Sequence, residues 1–161
     1  MIEWVHPGLI LIFGAVLVPF LKGRTKQIYL LLLPAAAFIA VVSMSQGTHG
    51  VVRVMDYAMT FGRVDRLSLV FGYIFTIMAF IGAVYGLHVK NDGEHIAALL
   101  YVGGSIGAVF AGDFLTLFAF WEVMAFSSLF LVWLKRDRAS NAAGYRYVLV
   151  HIFGGVCLLG G

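Results

Sequence analysis

Apolar residues run along this chain in long stretches that short polar segments separate. Six stretches meet the requirement of about 17–25 mostly apolar residues for a helix that crosses a bilayer. We place these predicted helices at about 4–21, 27–44, 67–88, 96–112, 113–134 and 141–161. The fourth and fifth are continuous in hydropathy, and we divide them at Gly112-Asp113 because a glycine can end one helix and an aspartate can cap the next. The pattern predicts an all-α, polytopic membrane bundle that forms a single transmembrane domain.

The connection between the second and third helices has a different pattern. Between Gly50 and Gly62 it contains the partly alternating run VVRVMDYAMTF. Such alternation predicts a small β-hairpin, which we expect to lie against the membrane surface. Asp65 follows it and is predicted to cap the third helix.

Composition agrees with a membrane location and argues against nucleic-acid binding and cysteine-based metal binding. Hydrophobic residues make up 61% of the chain and charged residues 12%, which is typical of an integral membrane protein. The net charge of +3 does not indicate nucleic-acid binding, because the basic residues form short clusters between apolar runs and not a patch interleaved with aromatics. The single cysteine, Cys157, excludes an intrachain disulfide and a cysteine-based metal site.

The basic residues predict the orientation of the chain in the membrane. Glu3 and His6 precede the first apolar run and the positive charges follow it, which is the reverse of a secretory signal. The loops after the first, third and fifth helices carry Lys22, Arg24, Lys26, Lys90, Lys135, Arg136 and Arg138. The other side carries Arg53, Arg63 and Arg66. The N-terminus is therefore predicted to lie outside, and the chain is predicted to be a multi-pass protein of the cell (inner) membrane.

One acidic side chain stands out in the fifth apolar stretch. Glu122 lies in the middle of DFLTLFAFWEVMAFSSLFLVWL, about 13 Å below the outer surface if the helix begins at Asp113. A carboxylate at this depth costs roughly 2.5–3.5 kcal/mol on insertion scales and usually faces an ion or proton pathway. Glu122 is therefore the first candidate for proton transfer.

A histidine in the sixth stretch is predicted to lie at a matching depth. His151 is ten residues beyond Asn141, or about 15 Å from the cytoplasmic side. Helices joined by a short linker usually pack antiparallel, so His151 could exchange a proton with Glu122 directly or through water. Tyr147 lies four positions earlier on the same helical face. The alternative for His151 is a neutral, packed histidine bonded to a backbone carbonyl.

Two further charged residues have weaker claims to the site. Arg146 either extends its guanidinium to the cytoplasmic interface or pairs with an acidic group inside the bundle. Asp113 is better explained as a helix cap than as part of an ion path. His88, Asp92 and His95 have a ligand-like spacing, but the turn residues between them argue against a metal site, and no cofactor is predicted.

With these residues in view, the chain resembles the N-terminal part of the antiporter-like membrane subunits shared by Mrp-type cation/proton antiporters, respiratory complex I and membrane-bound hydrogenases. Within that family it most resembles the D-type subunit of Mrp antiporters. The resemblance rests on HPGLILIFGAVLVPFL, FGRVDRLSLVF, AGDFLTLFAFWEVMAFSSLFLVWL and AGYRYVLVHIFGG. It implies that Glu122 matches the family's functional glutamate on the fifth helix, and that Arg146 matches a position that is often basic on the sixth.

The same resemblance implies that much of the fold is absent. Family members have about fourteen helices built on inverted repeats, with pathway lysines on the seventh and eighth helices. This chain ends at Gly161 within the sixth predicted helix, so we expect an incomplete antiporter-like fold. The apolar ending GGVCLLGG favours a truncated sequence over a split subunit that a second chain completes.

Three function classes remain open at this point. The leading interpretation is a membrane subunit of a multisubunit Na⁺/H⁺ antiporter, whose partners are other membrane subunits, protons and a monovalent cation. The second is a proton-pumping subunit of a complex I-like NADH:quinone oxidoreductase or a hydrogenase, whose redox cofactors another subunit carries. The third is a structural scaffold.

Overall fold

Helices and one β-hairpin build the structure, a computed structural model that describes residues 4–54 and 56–160. The helices are α1 (Pro7–Leu17), α2 (Gly23–Val42), α3 (Arg66–Gly86), α4 (Asp92–Phe110), α5 (Phe114–Trp133) and α6 (Arg138–Gly160). The strands are β1 (Gly47–Val54) and β2 (Tyr57–Val64). Glu3 and the predicted end of the sixth helix at Gly161 lie outside the described residues.

Five of the described helices, α2 to α6, are long and apolar enough to cross a membrane. The predicted membrane helical bundle is confirmed. The first helix is shorter than the prediction of 4–21: α1 ends at Leu17, and a 3₁₀ turn, Val18–Phe20, follows it. Pro19 lies in that turn and has no amide hydrogen with which to continue the helical ladder.

The predicted hairpin is present at one end of the bundle. β1 and β2 pair antiparallel, with Val51 opposite Thr60 and His49 opposite Gly62. Trp4 packs on the hairpin so closely that a Cβ added at Gly62 would overlap its ring. The amide of Gly112 donates to the Thr60 carbonyl over 2.9 Å, so the hairpin is fastened to the junction of α4 and α5.

Aspartates cap two of the helices that begin at this end, α3 and α5. Asp65 precedes α3, accepts from the Ser68 amide and forms a reciprocal capping box with the Ser68 hydroxyl. Asp113 precedes α5, and its side chain accepts from the Thr116 amide over 2.8 Å and from the Thr116 hydroxyl over 2.6 Å. The helix break predicted at Gly112-Asp113 is thus present, because the aspartate satisfies first-turn amides that would otherwise have no partner.

Helix α4 is the centre of the bundle because glycines let its neighbours approach. A Cβ at Gly103 would lie 2.8 Å from the Gly8 carbonyl of α1, and one at Gly104 would lie 2.8 Å from Met124 Cγ of α5. Such close approach is how membrane helices gain packing contacts without a hydrophobic driving force. Helices α3 and α6 lie at the periphery, and their large apolar side chains are mostly exposed at the surface of the described chain.

Candidate functional site

The packing of α5 against α6 brings the two predicted titratable groups together. Glu122 Oε1 lies 3.4 Å from His151 Nε2. The side chains are 25% and 17% exposed, so both are largely withdrawn from the surface. The helices pack antiparallel, as the short linker between them predicts.

Local sequence features at the linker and on α6 make this apposition possible. Arg136 adopts a positive φ of 57° and turns the chain, and Asp137 then accepts from the Ser140 amide at the start of α6. Gly155, one turn beyond His151, leaves space for the carboxylate, because a Cβ there would lie 3.1 Å from Glu122 Oε1. Gly144 gives room to the indole of Trp133.

Aromatic rings hold the imidazole in place. The ring of Tyr147 is nearly parallel to that of His151, at a centroid distance of 5.9 Å, and the ring of Trp121 is also nearly parallel to it, at 6.2 Å. His151 Nε2 is buried and has no hydrogen-bond partner among the described groups. The 3.4 Å approach to Glu122 is therefore a close polar contact without hydrogen-bond alignment. A small rotation of either side chain would complete a direct hydrogen bond.

Two hydroxyl groups form a separate contact one helical turn from His151, whose ring stacks on that of Tyr147. Tyr147 Oη and Ser128 Oγ are 2.7 Å apart. Ser128 donates its own proton to the Ala125 carbonyl over 2.8 Å, so in this arrangement the tyrosine hydroxyl donates to Ser128. Rotation of both hydroxyls reverses that direction, which is the property a proton relay requires.

The remaining predicted site residues lie apart from this pair. Arg146 is exposed and makes no salt bridge to any acidic group that the structure describes. Asp113 caps α5 and also accepts from the Thr60 amide of the hairpin. Burial opposes its ionisation, but the hydrogen bonds from Thr116 and Thr60 outweigh burial and lower the pKa of Asp113.

Ser128 was not anticipated from the sequence, whereas Gly155 was expected only as one of several glycines that allow helices to approach closely. The antiparallel packing of α5 and α6 could have predicted the position of Ser128. If His151 faces Glu122, the turn of α6 that carries Tyr147 must face the turn of α5 that carries Ser127 and Ser128. Ser127 turns inward and donates to the Val123 carbonyl, and Ser128 is left to meet Tyr147.

The arrangement suits proton transfer better than metal or redox chemistry. A carboxylate and an imidazole in contact can hold one proton between them, and the imidazole titrates near neutral pH in its unperturbed state. Among residues 4–54 and 56–160, no group of three His, Cys, Asp or Glu side chains is placed to hold a metal ion.

Comparisons with known proteins find similarity to subunits of membrane transport complexes. No protein-family model matches the sequence. The A1 subunit of the Na⁺/H⁺ antiporter from Staphylococcus haemolyticus (strain JCSC1435) is 28% identical over 91% of this chain. The A1 subunit from Staphylococcus aureus (strain bovine RF122 / ET3-1) is 28% identical over 90% of it. The chain is similar to antiporter subunits. It spans 20% of the length of these relatives.

A solved structure shares the fold. A chain in the structure of the membrane-bound sulfane sulfur reductase, an archaeal respiratory membrane complex, superposes with a TM-score of 0.66 over 96% of this chain and 34% of its own length, at 18% identity. The predicted membrane helical fold is therefore shared with a chain of a respiratory membrane complex. The antiporter relatives named above are A1 subunits, so the predicted likeness to the D-type subunit in particular gains no support from them.

Proposed function

We propose that this chain is part of a membrane subunit of a multisubunit Na⁺/H⁺ antiporter, in which Glu122 takes up and releases a proton near the middle of the membrane. The observation that carries the proposal is the contact between Glu122 and His151 across α5 and α6. An acidic side chain in an apolar helix is costly, and a titratable partner at the same depth is what a proton pathway needs.

His151 is proposed as the group that exchanges the proton with Glu122, and Tyr147 as the next member of the series. In the predicted orientation, with the N-terminus outside, Tyr147 lies on the cytoplasmic side of His151. Ser128 extends the series from the other helix. Arg146 is proposed as a charge partner that acts only when another part of the assembly supplies an acidic group beside it.

The similarity to Na⁺/H⁺ antiporter subunits favours monovalent cations as the exchanged ions. The proposed partners are the other membrane subunits of such a complex, and the proposed location is the inner membrane. Gene neighbours would decide whether the protein corresponds to the D type or the A type.

A second function is favoured by the fold match to a respiratory membrane complex. In that case the same pair of residues would move protons, but electron transfer in another subunit would drive them. Inverted membrane vesicles separate the two functions. The antiporter predicts that added Na⁺ dissipates an imposed pH gradient, whereas the redox-driven pump predicts that a reductant builds the gradient and Na⁺ has no effect.

Substitution of Glu122 tests the proposal in the complete complex. Glu122→Gln keeps the shape of the side chain but cannot release a proton, so we expect transport to fall by at least about tenfold. Assembly, measured as subunits that copurify, should be unchanged. Glu94→Gln is the matched control, because Glu94 lies in the first turn of α4 and accepts from Asn91 instead of facing α6. Normal transport by Glu122→Gln would reject the proposal and favour a scaffold.

A further inference from the structure

A groove on the surface of the bundle carries a separate inference, although it meets the Glu122 site at Trp121, which lines it. It has a volume of about 840 Å³ and lies between α3 and α4, with α5 along one side. Its lining is apolar for most of its length and includes Phe75, Met78, Ala98, Val102 and Met124. Along α4 it extends from Glu94 to Val109, which is about 22 Å of helix.

The helices leave this groove open because α3 presents small residues to it. Ala79, Gly82, Ala83 and Gly86 all line it. A Cβ added at Gly82 would meet no other atom within 4 Å. The groove is longer than one leaflet of the hydrocarbon core, which is about 15 Å thick, so an extended hydrocarbon chain would fit along it.

A basic pocket of about 460 Å³ continues the groove at one end. The two share Leu30, Val89 and His95 as lining residues. Three lysines line this pocket: Lys22, Lys26 and Lys90.

The charge of the pocket is not balanced within the chain. Lys26 forms a salt bridge with Asp92, so one positive charge is neutralised. Lys22 and Lys90 make no salt bridge with the acidic groups that the structure describes. Glu94 lies nearby at the edge of the groove and accepts from Asn91.

Backbone groups add to the positive potential of the pocket. Lys22 is the residue before α2, and no side chain caps the first-turn amides of that helix. Unsatisfied amides at a helix start favour an anion beside them. The pocket also belongs to the end of the bundle whose loops carry most lysines and arginines, where the leaflet facing the cytoplasm is expected.

We propose that the groove binds one acyl chain of an anionic phospholipid, and that the basic pocket binds the phosphate of the same lipid at Lys22 and Lys90. The apolar groove matches the acyl chain of such a lipid, and the basic pocket, whose positive charge is not neutralised within the described chain, matches its phosphate. A helix from another subunit would need an acidic residue of its own to neutralise the two lysines, whereas an anionic lipid carries its phosphate beside its acyl chain.

Lipid counting on the purified complete complex tests the headgroup end. Phosphatidylglycerol and phosphatidylcholine are added at equal concentrations, and bound lipid is counted by native mass spectrometry. We expect phosphatidylglycerol to bind more tightly, and the double substitution Lys22→Gln, Lys90→Gln to weaken its binding by about tenfold or more. The control Arg136→Gln, Arg138→Gln removes the same charge from another loop at this end and should have little effect. Equal binding of the two lipids, or an equal loss in both double variants, would overturn the proposal.

Filling the groove tests the acyl end with the lysines left intact. Gly82→Phe should reduce phosphatidylglycerol binding, because the new ring would occupy the space of the acyl chain. Gly154→Phe is the matched control, since a Cβ at Gly154 also meets no atom within 4 Å and Gly154 lies on α6. If Gly82→Phe retains full lipid binding, or if a helix of another subunit is found in the groove, the proposal is wrong.

Discussion

At the scale of single residues, the site is defined by what surrounds one imidazole. His151 has a carboxylate 3.4 Å from its Nε2, a tyrosine ring beside it on α6 and a tryptophan ring beside it on α5. The rings fix its position, and the imidazole is only 17% exposed, so electrostatic interactions in the pair are stronger than at a surface. A carboxylate and an imidazole at this distance can pass a proton from one to the other.

Replacement of the imidazole should reveal its contribution. His151→Ala removes the imidazole that contacts Glu122, so we expect transport to slow by about tenfold and the pH optimum to move. The pH profile of transport in vesicles is the measurement. His88→Ala is a suitable control because His88 lies beside Tyr85 just beyond the end of α3, away from the Glu122 site. A variant with an unchanged profile would show that His151 is only a packed core residue.

The hydroxyl pair can be tested by substitution of each member. Tyr147→Phe and Ser128→Ala each break the 2.7 Å contact, so each should slow proton transfer by a similar factor. The double variant should be no slower than the slower single variant, because members of one series are not additive. Tyr145→Phe removes a hydroxyl on a different face, where the ring packs against Trp133, and should be neutral. Additive losses in the double variant would contradict a shared path.

The sequence was enough to predict how deep Glu122 and His151 lie in the membrane. It was not enough to predict which other side chains of α5 and α6 meet. A rise of about 1.5 Å per residue is enough to place Glu122 and His151 at one level. The rotation of α6 about its axis depends on packing at Gly144 and Gly155, which no periodicity in the sequence encodes. That is why Ser128 was missed, and why the proposed pairing of Arg146 found no acidic partner within the described chain.

At the scale of elements, the short helix α1 depends on a buried histidine. His6 is 3% exposed, and its Nδ1 accepts from the amides of Gly8 and Leu9. Its ring stacks on Phe120 of α5 at 5.3 Å. This side chain therefore connects the cap of α1 to the outer part of α5. The sequence showed only a histidine before an apolar run, because its burial comes from distant elements.

Acidification should weaken this cap. Burial lowers the pKa of His6 from 6.5 to about 4. As pH falls below 6.5 the unfolded chain binds a proton that the folded chain resists, so stability falls and the loss is complete below about pH 4. The shift corresponds to about 3 kcal/mol.

Asparagine can cap a helix without titrating, so His6→Asn should flatten the decline of the apparent melting temperature of the complex between pH 6.5 and pH 4. His88→Asn should leave the decline unchanged, and an equally steep decline in His6→Asn would contradict this account.

At the scale of the whole molecule, the peripheral helices explain why the chain is assigned to an assembly. Large apolar side chains on α3 and α6 are exposed over much of their length, among them Met78 at 61% and Phe153 at 72%. Such faces belong against lipid or against other membrane helices. The chain spans 20% of the length of the antiporter relatives named above.

The central claim is that Glu122 changes its protonation state during transport. Infrared difference spectroscopy of the complete complex, with and without the driving gradient, measures a protonated carboxyl group directly. The account predicts a carboxyl band that appears or disappears with the gradient, is absent in Glu122→Gln and persists in Glu94→Gln. A band that Glu122→Gln leaves intact, in a complex that still transports, would contradict it.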